Sequence, residues 1–507
     1  MAEIHILQLG KVDWNNIYKI PTGVNLEYAD HFVETPKMPY DLLFLDRMPM
    51  EEEIKPLYQA TKTYTVFFTD KAFEENKSIE GLTRSLLSSK KAQYIEARDI
   101  QRFLIQETKY YYSKPYGEKQ GLRNLAIAHG FSGKVKWNGN YSVTMEGEFG
   151  EEFHQIAFWR GNIPLFQLPA MDFWLEYSKS PGVRIAMTIT KFANGSLSHV
   201  LEQWQYSEEE LKHVVQVKGN TEDGWLFISL SARGAGMLEI VALHDRISRG
   251  CHGYFLPGGE RYTAANREEM FCYFEPGDMK PPLSVYFSGY KTLEGFEGYY
   301  MMKGMGCPFL LIAEPRLEGG SFYMGQAEYE QLFVDAIKKY MSELGFSSDQ
   351  VILSGLSMGT FGALYYGCDI HPHAVILGKP LASIGNVAAN EKHLRPEGFP
   401  TSLDLLRCQC GGLNEKDIKK LNGKFWNKFD QADWRKSKFV ISYMLEDDYD
   451  ADAYQSLLSH LGTAGVQVYG KGIHGRHNDN TGAIVNWFLT QYKKILHEDF
   501  GRKNENE

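Results

Sequence analysis

VILSGLSMGTFGALYYG, residues 351–367, is the stretch on which the reading of this chain turns. Val351, Ile352, Leu353 and Ser354 lead into Gly355-Leu356-Ser357-Met358-Gly359, and small and apolar residues follow. A serine with glycines two residues to either side has two readings. It is a nucleophile held at a sharp strand-to-helix turn, or it caps a helix. The apolar run before it predicts a strand and the run after it a helix, which is the context a G-x-S-x-G elbow requires. The glycines suit a turn in which strand and helix pack too closely for side chains. The nucleophile is the favoured reading.

A serine hydroxyl is nearly inert at neutral pH, so it needs a base and an acid that orients the base. In this type of fold they follow in the order serine, acid, histidine. KFVISYMLEDDYDADAY (438–454) ends a predicted strand in Glu446, Asp447, Asp448, Asp450 and Asp452. Asp447 falls where the strand should end and is the favoured acid, with Glu446 and Asp448 as alternatives. GKGIHGRHNDNTGAIVNWF (470–488) offers His477 as the base and His474 as the alternative. No third ligand at matching spacing supports reading this histidine pair as a metal site. An oxyanion would be met by backbone N–H groups. Met358 supplies one by position, and the turn Ser288-Gly289-Tyr290, in YFSGYKTLEGFEGY (286–299), is the place to seek the second, at Gly289 or Tyr290.

Around the elbow, LSVYFSGY, PFLLIAEP, QVILSGLSMG, HAVILGKP, KFVISYMLEDD and VQVYGKG read as six strands alternating with helices. That rhythm predicts a doubly wound parallel sheet, an α/β-hydrolase-like domain over residues 276–500. At the other end, IHILQLG (4–10), DLLFLD (41–46) and TVFFTD (65–70) read as buried strands of a small α/β domain, residues 1–120. Between them, residues 121–275 carry many short alternating segments with frequent turns, the pattern of an antiparallel β-sandwich. Trp159, Trp174, Trp204 and Trp225 are expected to fill its core, Trp225 above all; exposed, they would suit carbohydrate. The fold class is therefore α/β throughout, with a β-sandwich-like middle.

The bulk composition narrows the function classes. With 54 Lys and Arg against 64 Asp and Glu, the formal charge is −10, and no basic cluster offers a footprint for nucleic acid. The N-terminus lacks the pattern of a signal peptide, and no apolar run is long enough to span a bilayer. Six cysteines at 251, 272, 307, 368, 408 and 410 form no disulfide or zinc framework, so free thiols in a reducing cytoplasm are expected. No P-loop or GxGxxG marks a nucleotide site, so no bound cofactor is predicted.

In domain order and in the motifs SGLSMGTFGALYYG and KGIHGRH, the chain resembles the second of the three accessory secretory proteins of the Gram-positive accessory Sec system. The resemblance implies a cytoplasmic O-acetyltransferase acting on N-acetylglucosamine of serine-rich repeat glycoprotein adhesins. It implies partners in the other accessory secretory proteins, the accessory Sec motor ATPase and the adhesin, with any membrane contact made through them. Carried over by motif, Ser357 takes the acetyl group, His477 acts as base and Asp447 orients it. A plain carbohydrate esterase and a non-catalytic secretion scaffold are the alternatives. The acetyl donor is not legible in the sequence.

Overall fold

The computed structural model describes residues 3–74, 81–113, 116–166, 168–219, 222–462 and 465–502. Over these described residues the chain is a mixed α/β protein built on three sheets. The first has five parallel strands in the order Val24–Ala29, Ile4–Leu9, Leu42–Leu45, Val66–Thr69, Gln93–Ile95. Leu42, Leu43, Phe44 and Leu45 are all fully buried, because apolar clusters cover both faces of the sheet. A continuous apolar run is what a strand buried on both faces demands. The strand Val24–Ala29 escaped the sequence reading because it is a half-exposed edge with polar residues at alternate positions.

The middle segment is antiparallel, as its alternation predicts, but its ten strands form one hydrogen-bonded sheet rather than a two-sheet sandwich. Two long strands, Ser142–Trp159 and Gly224–Ile247, cause this. They pair along Ser229–Ile240 with three breaks in register. Such bulges bend and twist a strand, and the one sheet surrounds a single core that includes Met145, Met187, Leu230 and Ile240. Trp159 and Trp174 are buried and Trp204 half-buried. Trp225 corrects the expectation. Leu226, Ile228 and Leu230 take the inner face, so Trp225 and Phe227 lie outward, half-buried. The Trp225 indole donates to Asn194 Oδ1 (3.2 Å), and its ring meets Phe166 edge-on.

The third sheet has eight strands in the order Glu260–Thr263, Glu269–Glu275, Phe309–Ala313, Leu283–Phe287, Val351–Leu356, Ala374–Gly378, Lys438–Met444, Gln467–Ile473. Glu269–Glu275 runs antiparallel to both of its neighbours, and it and Glu260–Thr263 precede the residues where the sequence rhythm changes; the other six are parallel. Helices Ala327–Leu344 and Met358–Ile370 cover one face, and Thr481–Phe500 the other. Three further helices, Ile384–His393, Thr401–Cys410 and Glu415–Gln431, fill the connection between the strands Ala374–Gly378 and Lys438–Met444.

Buried polar groups tie the sheets together. Arg249, fully buried, donates to the carbonyls of Tyr110, Tyr112 and Phe255 at 2.9–3.0 Å. Arg246 forks onto Glu269 (2.9 and 2.6 Å) and reaches Glu294 (2.6 Å), while His244 lies 2.5 Å from Glu294 and 3.1 Å from Glu176. All six cysteines are free thiols. Among the described residues no helix is long and apolar enough to cross a membrane.

Candidate active site

Ser357 sits between the strand Val351–Leu356 and the helix Met358–Ile370, with φ 51° and ψ −120°. A non-glycine residue in this region carries ~1–3 kcal/mol of strain and persists only where its surroundings hold it. Two glycines make room for the turn. A Cβ on Gly355 would lie 2.3 Å from the Gly359 carbonyl carbon, and one on Gly359 would lie 2.0 Å from the Phe287 carbonyl oxygen. Although Ser357 stands at the helix N-cap, its side chain makes no capping bond. Its Oγ instead lies 2.8 Å from His477 Nε2.

His477 follows the last strand and precedes the last helix; it is 1% exposed. Its Nδ1 lies 2.8 Å from Asp447 Oδ2. Asp447 Oδ1 accepts the N–H groups of Tyr449 (2.9 Å) and Asp450 (3.2 Å). Burial opposes ionisation of Asp447, but His477 and these N–H groups outweigh it and hold the carboxyl below its ordinary value. An ionised carboxylate only accepts, so Nδ1 carries the proton and Nε2 turns its lone pair to Oγ–H. The relay can take a proton from the serine and stabilise the imidazolium that results.

The alternatives have other occupations. His474 is exposed and pairs with Glu446 (3.0 Å). Asp448 accepts the His477 backbone N–H (3.1 Å) and pairs with Arg395 (3.2 Å). Asp450, whose carboxyl is pushed up by burial, accepts from Ala382 and Ser383.

Met358 begins its helix, where the first N–H groups have no intrahelical acceptor. The Gly289 N–H is different: it donates to Glu297 Oε2 at 2.5 Å. Tyr290 is 38% exposed and packs edge-on against Phe399. Serine, Met358, Gly289, Tyr290 and Glu297 line one cavity of about 950 Å³. Rings form part of its wall: Tyr449 stacks on His477 at 4.4 Å and on Phe399 at 5.5 Å. Lys379 also lines it; burial lowers its ammonium pKa, while Asp447 and Glu297 pull the other way.

Residues 4–502 match the family described as the accessory Sec system GspB-transporter. The chain belongs to this family. It is 36% identical to an accessory Sec system protein of Streptococcus gordonii, with 99% of each chain covered. It is 37% identical to the corresponding protein of Staphylococcus aureus, covering 99% of this chain and 98% of that one. A solved structure, the glycosylation associate protein (Gap123) complex from Streptococcus agalactiae, contains a chain 36% identical that superposes with a TM-score of 0.89, with 99% of each chain covered.

The sequence reading missed Glu297 and Phe399. Glu297 lies eight residues past Gly289, inside a loop already singled out, but no local pattern reveals that its carboxylate folds back. Phe399 belongs to the helical connection, which carries no motif.

Proposed function

We propose that this protein is a serine acyltransferase of the α/β-hydrolase type that O-acetylates N-acetylglucosamine on serine-rich repeat adhesins during their accessory Sec export. The observation that carries the reading is the unbroken relay from Asp447 through His477 to Ser357, with both links at 2.8 Å and the serine on a strained elbow.

In the first half-reaction, Ser357 Oγ attacks the acetyl carbonyl of a donor while His477 Nε2 takes the hydroxyl proton. The tetrahedral oxyanion rests on the Met358 N–H and on a donor from the Gly289–Tyr290 turn. Collapse breaks the bond to the leaving group, which takes the proton from His477 and leaves acetyl-Ser357. In the second half, His477 removes the proton of a sugar hydroxyl as its oxygen attacks the acetyl carbon. Collapse then returns the proton to Ser357 and releases the O-acetyl sugar. Hydrolysis uses the same steps with water, so an esterase is the competing outcome.

Membership in an accessory Sec family supports a role in export beside the chemistry, and the solved relative is part of a complex. We therefore assign the other accessory secretory proteins, the motor ATPase and the glycosylated adhesin as partners of this chain, in the cytoplasm and at the membrane only through those partners. The test is intact-glycopeptide mass spectrometry of the adhesin from cells carrying the wild type or Ser357→Ala, with co-purification of the sister proteins as a control. An acetyl mass step lost with the serine, partners retained, is the expected result. Identical masses in both strains refute the transferase.

A further inference from the structure

The acyl-transfer chemistry uses one side of the cavity and leaves the rest unexplained. Two of its lining residues, Arg123 and Asn140, come from the middle sheet's loops and lie more than two hundred residues before the serine in sequence. Arg123 belongs to the turn Leu122–Asn124, and its Nη2 lies 3.4 Å from Glu318 Oε2, which lines the same cavity. Asn140 sits at the hairpin between the strands Lys134–Asn138 and Ser142–Trp159; its backbone N–H donates to Asp404 Oδ1 (3.0 Å) in the helix Thr401–Cys410 of the helical connection. The same three residues, Arg123, Asn140 and Glu318, also line a second cavity of about 250 Å³, so the wall of the serine's cavity is shared with a cavity lined by middle-sheet residues such as Glu176 and Val241.

These polar groups share the cavity with flat rings. Phe399 and Tyr449 are nearly parallel (18°), and so are Tyr449 and His477 (23°), while Tyr290 closes the row edge-on to Phe399. Tyr449 is stacked by His477 and Phe399 and lies under the Arg395 guanidinium (4.4 Å), so it adds an apolar edge to the wall rather than a free face. A guanidinium, a carboxylate and an amide beside such an aromatic wall complement a sugar: the rings pack against its C–H groups, and the polar groups bond its hydroxyls. A cavity of about 950 Å³ also lies at the upper end of the range for ligand sites, which is more room than an acetyl group needs.

We propose that the Arg123 and Asn140 loops of the middle sheet, with the Tyr290–Phe399–Tyr449 wall, form the subsite that holds the acceptor's pyranose ring against Ser357. The ligand class rests on the acyl-transfer reading above; the subsite's location does not. The middle sheet is then part of the active site and sets acceptor specificity, while the relay sets the chemistry.

The test measures binding apart from catalysis. Full-length Ser357→Ala protein is titrated calorimetrically with a peptide carrying serine-linked N-acetylglucosamine, and so is the double variant Ser357→Ala with Arg123→Ala. The Arg123 side chain is 63% exposed, so its truncation leaves the fold intact. Loss of a charged hydrogen-bonding partner should weaken binding about tenfold. In the Ser357-intact protein, Arg123→Ala should reduce acetyl transfer to the glycopeptide about tenfold more than it reduces hydrolysis of p-nitrophenyl acetate, because so small an ester needs no sugar subsite. Equal affinities of the two titrated proteins, or no binding by either, overturn the subsite, and so does an equal loss of aryl-acetate hydrolysis. Binding that depends on Arg123 without any acetyl transfer by the wild type upholds the subsite and overturns only the proposed reaction.

Discussion

Glu297 makes a demanding test of the proposed mechanism, because it occupies an N–H that an oxyanion would need. Its Oε2 accepts the Gly289 N–H at 2.5 Å, with the Tyr286 hydroxyl 3.4 Å away. Gly289 is buried, whereas Glu297 is an exposed residue held by its carboxylate. If Gly289 serves the oxyanion, the carboxylate must leave before the tetrahedral intermediate forms. A hydrogen bond to a charged acceptor contributes about 1.5–3 kcal/mol, and the exposure of Glu297 places this one at the low end. Trading it for a water molecule should speed acylation about three- to tenfold, since 1.4 kcal/mol is a factor of ten. Removal of a negative charge beside the developing oxyanion acts in the same direction. The assay is the stopped-flow burst of p-nitrophenolate from p-nitrophenyl acetate, for wild type, Glu297→Gln and Glu297→Ala. The burst rate should rise in that order, because glutamine keeps a weaker, neutral acceptor. A tenfold fall in Glu297→Ala at an unchanged melting temperature would refute the reasoning. The carboxylate would then be positioning the Ser288–Gly289 turn, to which its own N–H is also bonded through Ser288 Oγ (3.2 Å).

Other perturbations probe the relay and the scaffold. Asp447→Asn should leave the circular dichroism unchanged and cut kcat by about 10⁴, since an amide orients the wrong tautomer of His477; a loss under tenfold would remove Asp447 from the relay. Gly359→Ala would drive a methyl to within 2.0 Å of the Phe287 carbonyl oxygen, so a clear drop in melting temperature and loss of the acylation burst are expected. A variant as stable and active as wild type would contradict the elbow geometry. The seam between the sheets should make stability fall with rising pH. Burial disfavours the charge on His244, but Glu294 and Glu176 outweigh it and hold its pKa at about 9, above the ordinary 6.5. Its stabilising contribution is therefore complete below pH 6.5 and is lost as pH rises through about 9. Asp245, pushed up to about 7 by burial, adds a loss in the same direction from about pH 4 to 7. Urea midpoints should decline from pH 6.5 to 9 in the wild type and flatten over that window in His244→Gln. A midpoint that rises with pH would reverse the assignment.

Features that neighbours along the chain impose on one another were legible before any folding was known. The elbow was legible because strand, Gly355, Ser357, Gly359 and helix are contiguous, and a tight turn dictates its own residues. The order of the acid and the histidine was legible because each closes a strand recognisable by its apolar run. Within each group local pattern favoured one member and left others open: of the five carboxylates between 446 and 452 Asp447 falls at the strand end, but it is the meeting of two strand ends that brings Asp447, rather than Glu446 or Asp448, against His477 Nδ1. The tertiary structure alone decided that Trp225 faces outward, because alternation fixes two faces of a strand and only register across the sheet says which is buried. It also decided that the middle strands close into one sheet, that Phe399 from the helical connection reaches the cleft, and that Glu297 folds back onto Gly289. Each of these depends on groups brought together by the packing of separate elements, and no periodicity in a single segment records what will be packed against it.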